Sequence, residues 1–326
     1  MLDNIIFSVN AVVPLVILIF LGFCLKQEKL KLFKEPKDFF NQVDRFVFHV
    51  AFPIYIFNEL AKAEIEDLFN IYLVVYCVSG ILISVFLSNL IVPLFIKSRP
   101  TRGAFIQGIF RSNFAMLGVP LAGNLFGDLG LRTAALVLPF PVVMFNTISV
   151  IVLAINTDSS NTPGNQNTVS NVKKIILGII TNPLIIGIVT ALPFMLLKIS
   201  LPTALQKSIN YGANMATPLA LISLGAGIDL KVLKNKVKLS FVASLIKTTV
   251  CPLLFVVPAV LLGFRDAALV VIFVLFGAPT AVSSYIMAKN MKSDYELAGQ
   301  IVVLTTVICP VTVFTGSFIL KSLGLI

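Results

Sequence analysis

Residues 111–127 read RSNFAMLGVPLAGNLFG, and the fold follows from how an apolar segment can contain them. The stretch carries an Arg, two Asn, three Gly and a Pro. Pro120 has no backbone N–H and its ring collides with the preceding turn, so a helix running through it bends or breaks. In a bilayer core such a break leaves bare N–H and C=O groups, tolerated only where protein or a water-filled cavity receives them. Residues 277–290, GAPTAVSSYIMAKN, repeat the device around Pro279. Two such breaks in corresponding halves of a membrane protein point to a transporter site.

The rest of the chain supports a bilayer setting. It has 326 residues, 57% hydrophobic and 12% charged, with mean hydropathy +0.98. A soluble domain carries about twice that charged fraction. Ten apolar spans are expected at 4–25, 38–58, 70–96, 103–126, 131–155, 172–197, 207–229, 239–262, 267–289 and 296–320, which makes an all-α polytopic membrane protein. The N-terminal run lacks a basic leader and is too long for a signal peptide, so it reads as a retained first span. Net charge is +10, but the basic residues sit in short loops where they set orientation, so nucleic acid is not expected as a partner. Cys24, Cys77, Cys251 and Cys309 stand singly in apolar segments, and the chain has one His. Neither a disulfide framework nor a Cys/His metal site is supported, and no cofactor is expected.

The one long polar break, NTDSSNTPGNQNTVSN from Asn156, divides the chain into residues 1–156, a linker at 157–171, and residues 172–326. The loops after spans one, three, five, seven and nine, with Arg45 at the edge of the first, hold 17 Lys and Arg against 6 on the other side. Positive-inside bias therefore puts the linker in the cytoplasm and both termini outside. Five spans per half invert the second half relative to the first. The prolines agree: Pro53 and Pro218, Pro93 and Pro258, Pro120 and Pro279, Pro141 and Pro310, and Pro14 and Pro183 are 165, 165, 159, 169 and 169 residues apart. The expected fold is a 5+5 inverted repeat with broken spans four and nine crossing near the midplane.

Four half-helix ends would meet there. N-terminal ends carry partial positive charge and free N–H donors, so the junction can hold an anion. Asn113, Gly118 and Pro120 on one side and Pro279, Thr280, Ser283 and Ser284 on the other are the candidate binding residues. Lys247 lies about 13 Å into span eight, where a charge costs roughly 2.5–3.5 kcal/mol. It contacts either substrate or the carbonyls of a broken helix, and the sequence leaves both open. Asn58 in span two completes the set. Arg111 precedes Pro120 by about 13 Å along a helix, a depth from which it can snorkel to the inner interface. His49 reads as a packing or interhelical hydrogen-bond residue rather than a proton carrier, and Asp44 with Arg45 as a solvated or interfacial pair.

No Walker motif and no metallohydrolase pattern is present, so neither ATP-driven chemistry nor an enzyme is expected. Glu59, Glu66, Asp128, Asp229, Asp266 and Asp294 all fall at span ends or in loops, so no buried carboxylate relay is visible. Coupling to H+ or Na+ stays open.

Six segments resemble the auxin efflux carrier family, which includes the plant PIN proteins and bacterial permeases: NAVVPLVILIFLG, FVFHVAFPIYIFNEL, SNFAMLGVPLAGNLFGD, NPLIIGIV, PLALISLGAGID and GAPTAVSSYIMAKNM. They run in family order over nearly the whole chain. The resemblance implies a bile-acid-symporter/NhaA-like fold and elevator-type transport of a small organic anion, usually by a homodimer in the plasma membrane. In that scheme spans three to five and eight to ten form a core that moves against spans one, two, six and seven. It also implies a basic residue where Lys247 stands. The short central linker departs from the plant members and leaves auxin itself in doubt. The short bacterial-type form suggests a mono- or dicarboxylate such as malate or malonate. An anion channel or a non-transporting membrane sensor is the alternative.

Overall fold

The computed structural model describes residues 2–27, 32–61, 70–156, 181, 183–228 and 236–326. The expected linker at 157–171, and the first part of the expected sixth span, lie outside these residues. Among the described residues the chain is helical throughout. Leu2–Leu25 (α1) is followed by Pro36–Phe46 (α2) and Phe52–Leu60 (α3), joined by a π-helical turn at Val47–Ala51. Ile71–Phe95 (α4), Arg99–Phe110 (α5), Val119–Val137 (α6) and Pro139–Ile155 (α7) complete the first half. The second half holds Pro183–Leu196 (α8), Thr203–Gly227 (α9), Val237–Leu245 (α10) and Cys251–Leu261 (α11). Asp266–Gly277 (α12), Ser283–Asn290 (α13) and Tyr295–Ser322 (α14) close it.

Among the described residues, five stretches are long and apolar enough to cross a membrane: 2–25, 71–95, 99–137, 237–261 and 295–322. Shorter apolar helices occupy 139–155, 183–196 and 266–277. Their surfaces are arranged for lipid. On α4 the buried face carries Cys77, Gly80, Ser84 and Ser88, while Val75, Leu82, Phe86, Leu90 and Leu94 point outward. The small and weakly polar residues of α4 face protein together with Leu73, Val74, Ile81 and Val92, while its outward face is large and apolar, as expected where lipid replaces water and helices associate by close packing. The chain is a multi-pass membrane protein.

Two glycines set the closest helix approach. A Cβ on Gly22 of α1 would collide with the Ile222 carbonyl of α9, and a Cβ on Gly225 of α9 with the Ile19 carbonyl of α1. Around this pair, α9 also packs on α2 and α3, and α3 packs on α8. A second group forms where α5 packs on α4, α7 and α14, α11 on α12, and α14 on α10 and α13. The helix after the first break packs against the helix before the second, α6 against α12.

Three prolines share one device. Pro53, Pro120 and Pro252 each come two residues after a five-residue π turn, at Val47–Ala51, Phe114–Gly118 and Ile246–Val250. A π turn spaces its hydrogen bonds one residue wider. The carbonyl that would meet the proline ring is thereby relieved, and the helix continues. Pro120 therefore does not open its helix, contrary to the expectation from sequence. The non-helical backbone falls earlier, at Arg111–Asn113.

Candidate functional site

Both broken spans stop on a buried half-helix. Residues 103–110 of α5 and 269–277 of α12 are buried on every side, and their sequences, without an exposed polar face, require it. A helix ending inside protein leaves its last carbonyls without partners. Here neighbouring side chains and backbone supply them. Thr280 Oγ1 donates to the Gly108 carbonyl at 2.7 Å, and Cys251 Sγ approaches the Ile109 carbonyl. Lys247 Nζ donates to the Phe276 carbonyl at 3.0 Å, and Cys309 Sγ lies 3.7 Å from that of Gly277. The breaks also bond to each other, the Asn113 N–H to the Pro279 carbonyl at 2.7 Å. The Thr280 N–H donates to Thr305 Oγ1 at 3.1 Å.

Beside this junction opens a cleft of about 460 Å³, lined by both breaks together with α2, α7, α13 and the first π turn. Its polar residues are Asp44, Arg45, His49, Arg111, Ser112, Asn113, Asn146 and Ser283. Arg111 dominates it. Its side chain is only 4% exposed, and Nη2 donates to Asn146 Oδ1 at 2.9 Å and to Ser283 Oγ at 2.7 Å. Nη1 rests on the sulfur of Met287. Among the described residues Nε has no partner, nor do the buried Ser112 Oγ and Asn113 Nδ2 on the next two residues. Arg111 has no ion-pair partner among the described residues, Asp44 included.

The expected site residues divide accordingly. Asn113 and Ser283 line the cleft; Gly118, Pro120, Pro279, Thr280, Ser284, Lys247 and Asn58 do not. Pro279 and Thr280 are the splice between the breaks, and Lys247, 1% exposed, is the tie on the end of α12. Asn58 sits on α3, where Gln206 of α9 donates to its Oδ1 at 2.9 Å.

Arg111 is the residue that sequence reasoning set aside. Its depth was counted along an unbroken helix to Pro120, but the helix ends at Phe110, which leaves Arg111 at the break itself. Snorkelling is replaced by burial. Asn146, an amide inside the apolar run of α7, and Met287 were also passed over; the first was visible as a polar residue among hydrophobic ones. His49, read as a packing or interhelical hydrogen-bond residue, faces the cleft with Nδ1 donating to the Arg45 carbonyl at 2.9 Å.

Comparisons with known proteins agree in kind. A family model described as "Membrane transport protein" matches residues 7–315. A transporter of uncharacterized activity from Methanothermobacter thermautotrophicus is 24% identical over 319 residues, covering 96% of this chain and 98% of its own. A proposed malonate transporter of Rhizobium meliloti is 24% identical over 319 residues, 95% of each chain. A further transporter of uncharacterized activity, from Methanocaldococcus jannaschii, is 24% identical over 275 residues, covering 81% of this chain and 84% of its own.

Proposed function

We propose, from the premise that this chain belongs to the membrane transport protein family of the auxin efflux carriers, that it is a secondary carrier of a small organic anion, a mono- or dicarboxylate such as malonate or malate. One observation carries the reading: a buried guanidinium with no carboxylate partner among the described residues faces a cleft at two helix breaks that are bonded to each other. An unpaired charge in a membrane interior is costly and is retained for function. A positive one is offset by an anion. The malonate proposed for the relative from Rhizobium meliloti supports a small carboxylate as that anion.

Alternating access of the elevator type fits the packing. Helices α4–α7 and α10–α14 would move together past α1–α3, α8 and α9, carrying the cleft. An inverted repeat is supported by the breaks themselves. They begin at Arg111 and Ala278, 167 residues apart, within the range of the four other proline pairs, whereas Pro120 and Pro279 alone fell outside it. The loop charges favour termini outside a plasma membrane, and the family favours a homodimer. The test is counterflow. Purified protein in proteoliposomes loaded with malonate should take up labelled malonate with saturation, accelerated by substrate on the far side. Uptake that neither saturates nor responds to internal substrate would indicate a channel instead. Uptake confined to neutral or cationic solutes would overturn the anion reading.

A further inference from the structure

We infer that Arg111 is the residue that binds the carboxylate of the transported anion, with Ser112 and Asn113 as its neighbouring donors and Asn146 as the group that aims it. This deepens the reading above and rests on it. Two buried cations lie near the breaks, and their surroundings assign them different work. Lys247 spends its ammonium on the Phe276 carbonyl and lies outside the cleft lining. Arg111 faces the cleft, with Nη2 fixed by Asn146 and Ser283. Its Nε is unpartnered, and its Nη1 meets a thioether, a weak acceptor that an oxyanion readily replaces.

The vacant donors are successive. Arg111 Nε, Ser112 Oγ and Asn113 Nδ2 are all buried and, among the described residues, unpartnered, on three consecutive residues of non-helical backbone that all line the cleft. Buried donors without partners are rare in folded proteins and call for an explanation. A carboxylate, with two oxygens and about four acceptor sites, can satisfy all three. The two oxygens of a carboxylate suit these separate donors better than the single centre of a halide, and Lys in place of Arg removes the Nε donor. The anion is thus held by side chains of one break while the other break, through Ser283, steadies the guanidinium.

The test uses the purified full chain and two probes, malonate and its neutral analogue malonamide, in thermal-shift titrations. Wild type should be stabilised by malonate and not by malonamide. Arg111→Lys should weaken malonate at least about tenfold, the scale of a charged hydrogen bond. Asn146→Asp should do the same with Arg111 still in place, because the new carboxylate neutralises the guanidinium from within; this variant keeps the native contact, so a folded sample is expected. If wild type responds to malonate and both variants bind it as tightly, this inference fails while the carrier reading stands. If no mono- or dicarboxylate shifts wild type, both fall.

Discussion

The Asn113 N–H and the Pro279 carbonyl are 2.7 Å apart, so each broken span completes the other's backbone. Pro279 contributes an acceptor and has no N–H to satisfy, which suits a residue inside a break. The junction is held by protein groups before any solute arrives. Its stability can therefore be measured separately from binding.

Thr280 is a side-chain fastener that ties the second break to the end of α5. Its Oγ1 donates to the Gly108 carbonyl, and the residue is fully buried. Thr280→Val keeps the shape and strips the donor from a buried carbonyl, at a cost of about 1–3 kcal/mol. Thermal denaturation in detergent should show a clear fall in Tm, whereas Thr280→Ser should lose much less.

Lys247 should behave as a stabilising tie. Lys247→Ala leaves the Phe276 carbonyl without its donor and opens a void among buried side chains, so Tm should fall by more than for Lys247→Met, which refills the space. Equal Tm values for wild type and both variants would show that the α12 end needs no cation.

Gly127 has φ +58° and ψ −153° within α6, beside the non-helical Phe126. The chain bends there so tightly that a Cβ on Gly130 would collide with the Ala122 carbonyl. Strain of about 1–3 kcal/mol is expected for any L side chain in that backbone region. Gly127→Ala should lower Tm even though nothing lies within 4 Å of the added methyl; an unchanged Tm would mean the bend can relax.

Asp294 sits ahead of α14 and gathers three elements. It accepts from Lys236, from Thr101 Oγ1 at 2.8 Å and from the Leu297 N–H at 3.1 Å. Burial pushes its carboxyl upward, but the Lys236, Leu297 and Thr101 donors outweigh it and hold the group below its ordinary 3.8. The contribution of a carboxylate so held is complete above 3.8 and is lost as pH falls through its depressed value. The Tm difference between wild type and Asp294→Asn should be constant near neutral pH and shrink in acid. A difference that grows in acid would contradict the assignment.

Much of the architecture was legible in the sequence because lipid imposes simple rules. Span-length apolar runs marked membrane helices, a Pro beside polar residues and Gly in each of two distant runs pointed to the breaks, and six resembling segments pointed to the family. The location of the first break was not legible. Proline signals where a helix cannot run straight, but at Pro120 a π turn absorbs the conflict, and only backbone geometry distinguishes that from rupture. The error propagated to Arg111, whose depth was measured from the wrong landmark. Ser283 and Asn146 could be seen as polar residues in apolar surroundings, yet that they meet one guanidinium depends on α7 and α13 folding back beside α5, which no local pattern encodes.

The π turn in α10 and α11 has one more effect. Buried positions along that span recur every fourth residue without interruption: Ser240, Ser244, Thr248, Pro252 and Val256, and beside them Ala243, Lys247, Cys251, Phe255 and Ala259. In an unbroken α-helix a four-residue repeat winds about 40° round the axis at each step, and the row would turn to face lipid before it reached the far side. The wider turn at Ile246–Val250 resets the phase halfway. Shortening it by one residue would rotate everything downstream, presenting Phe255 and Ala259 to the bilayer and Leu253 and Val257 to the protein, while barely changing the length of the span.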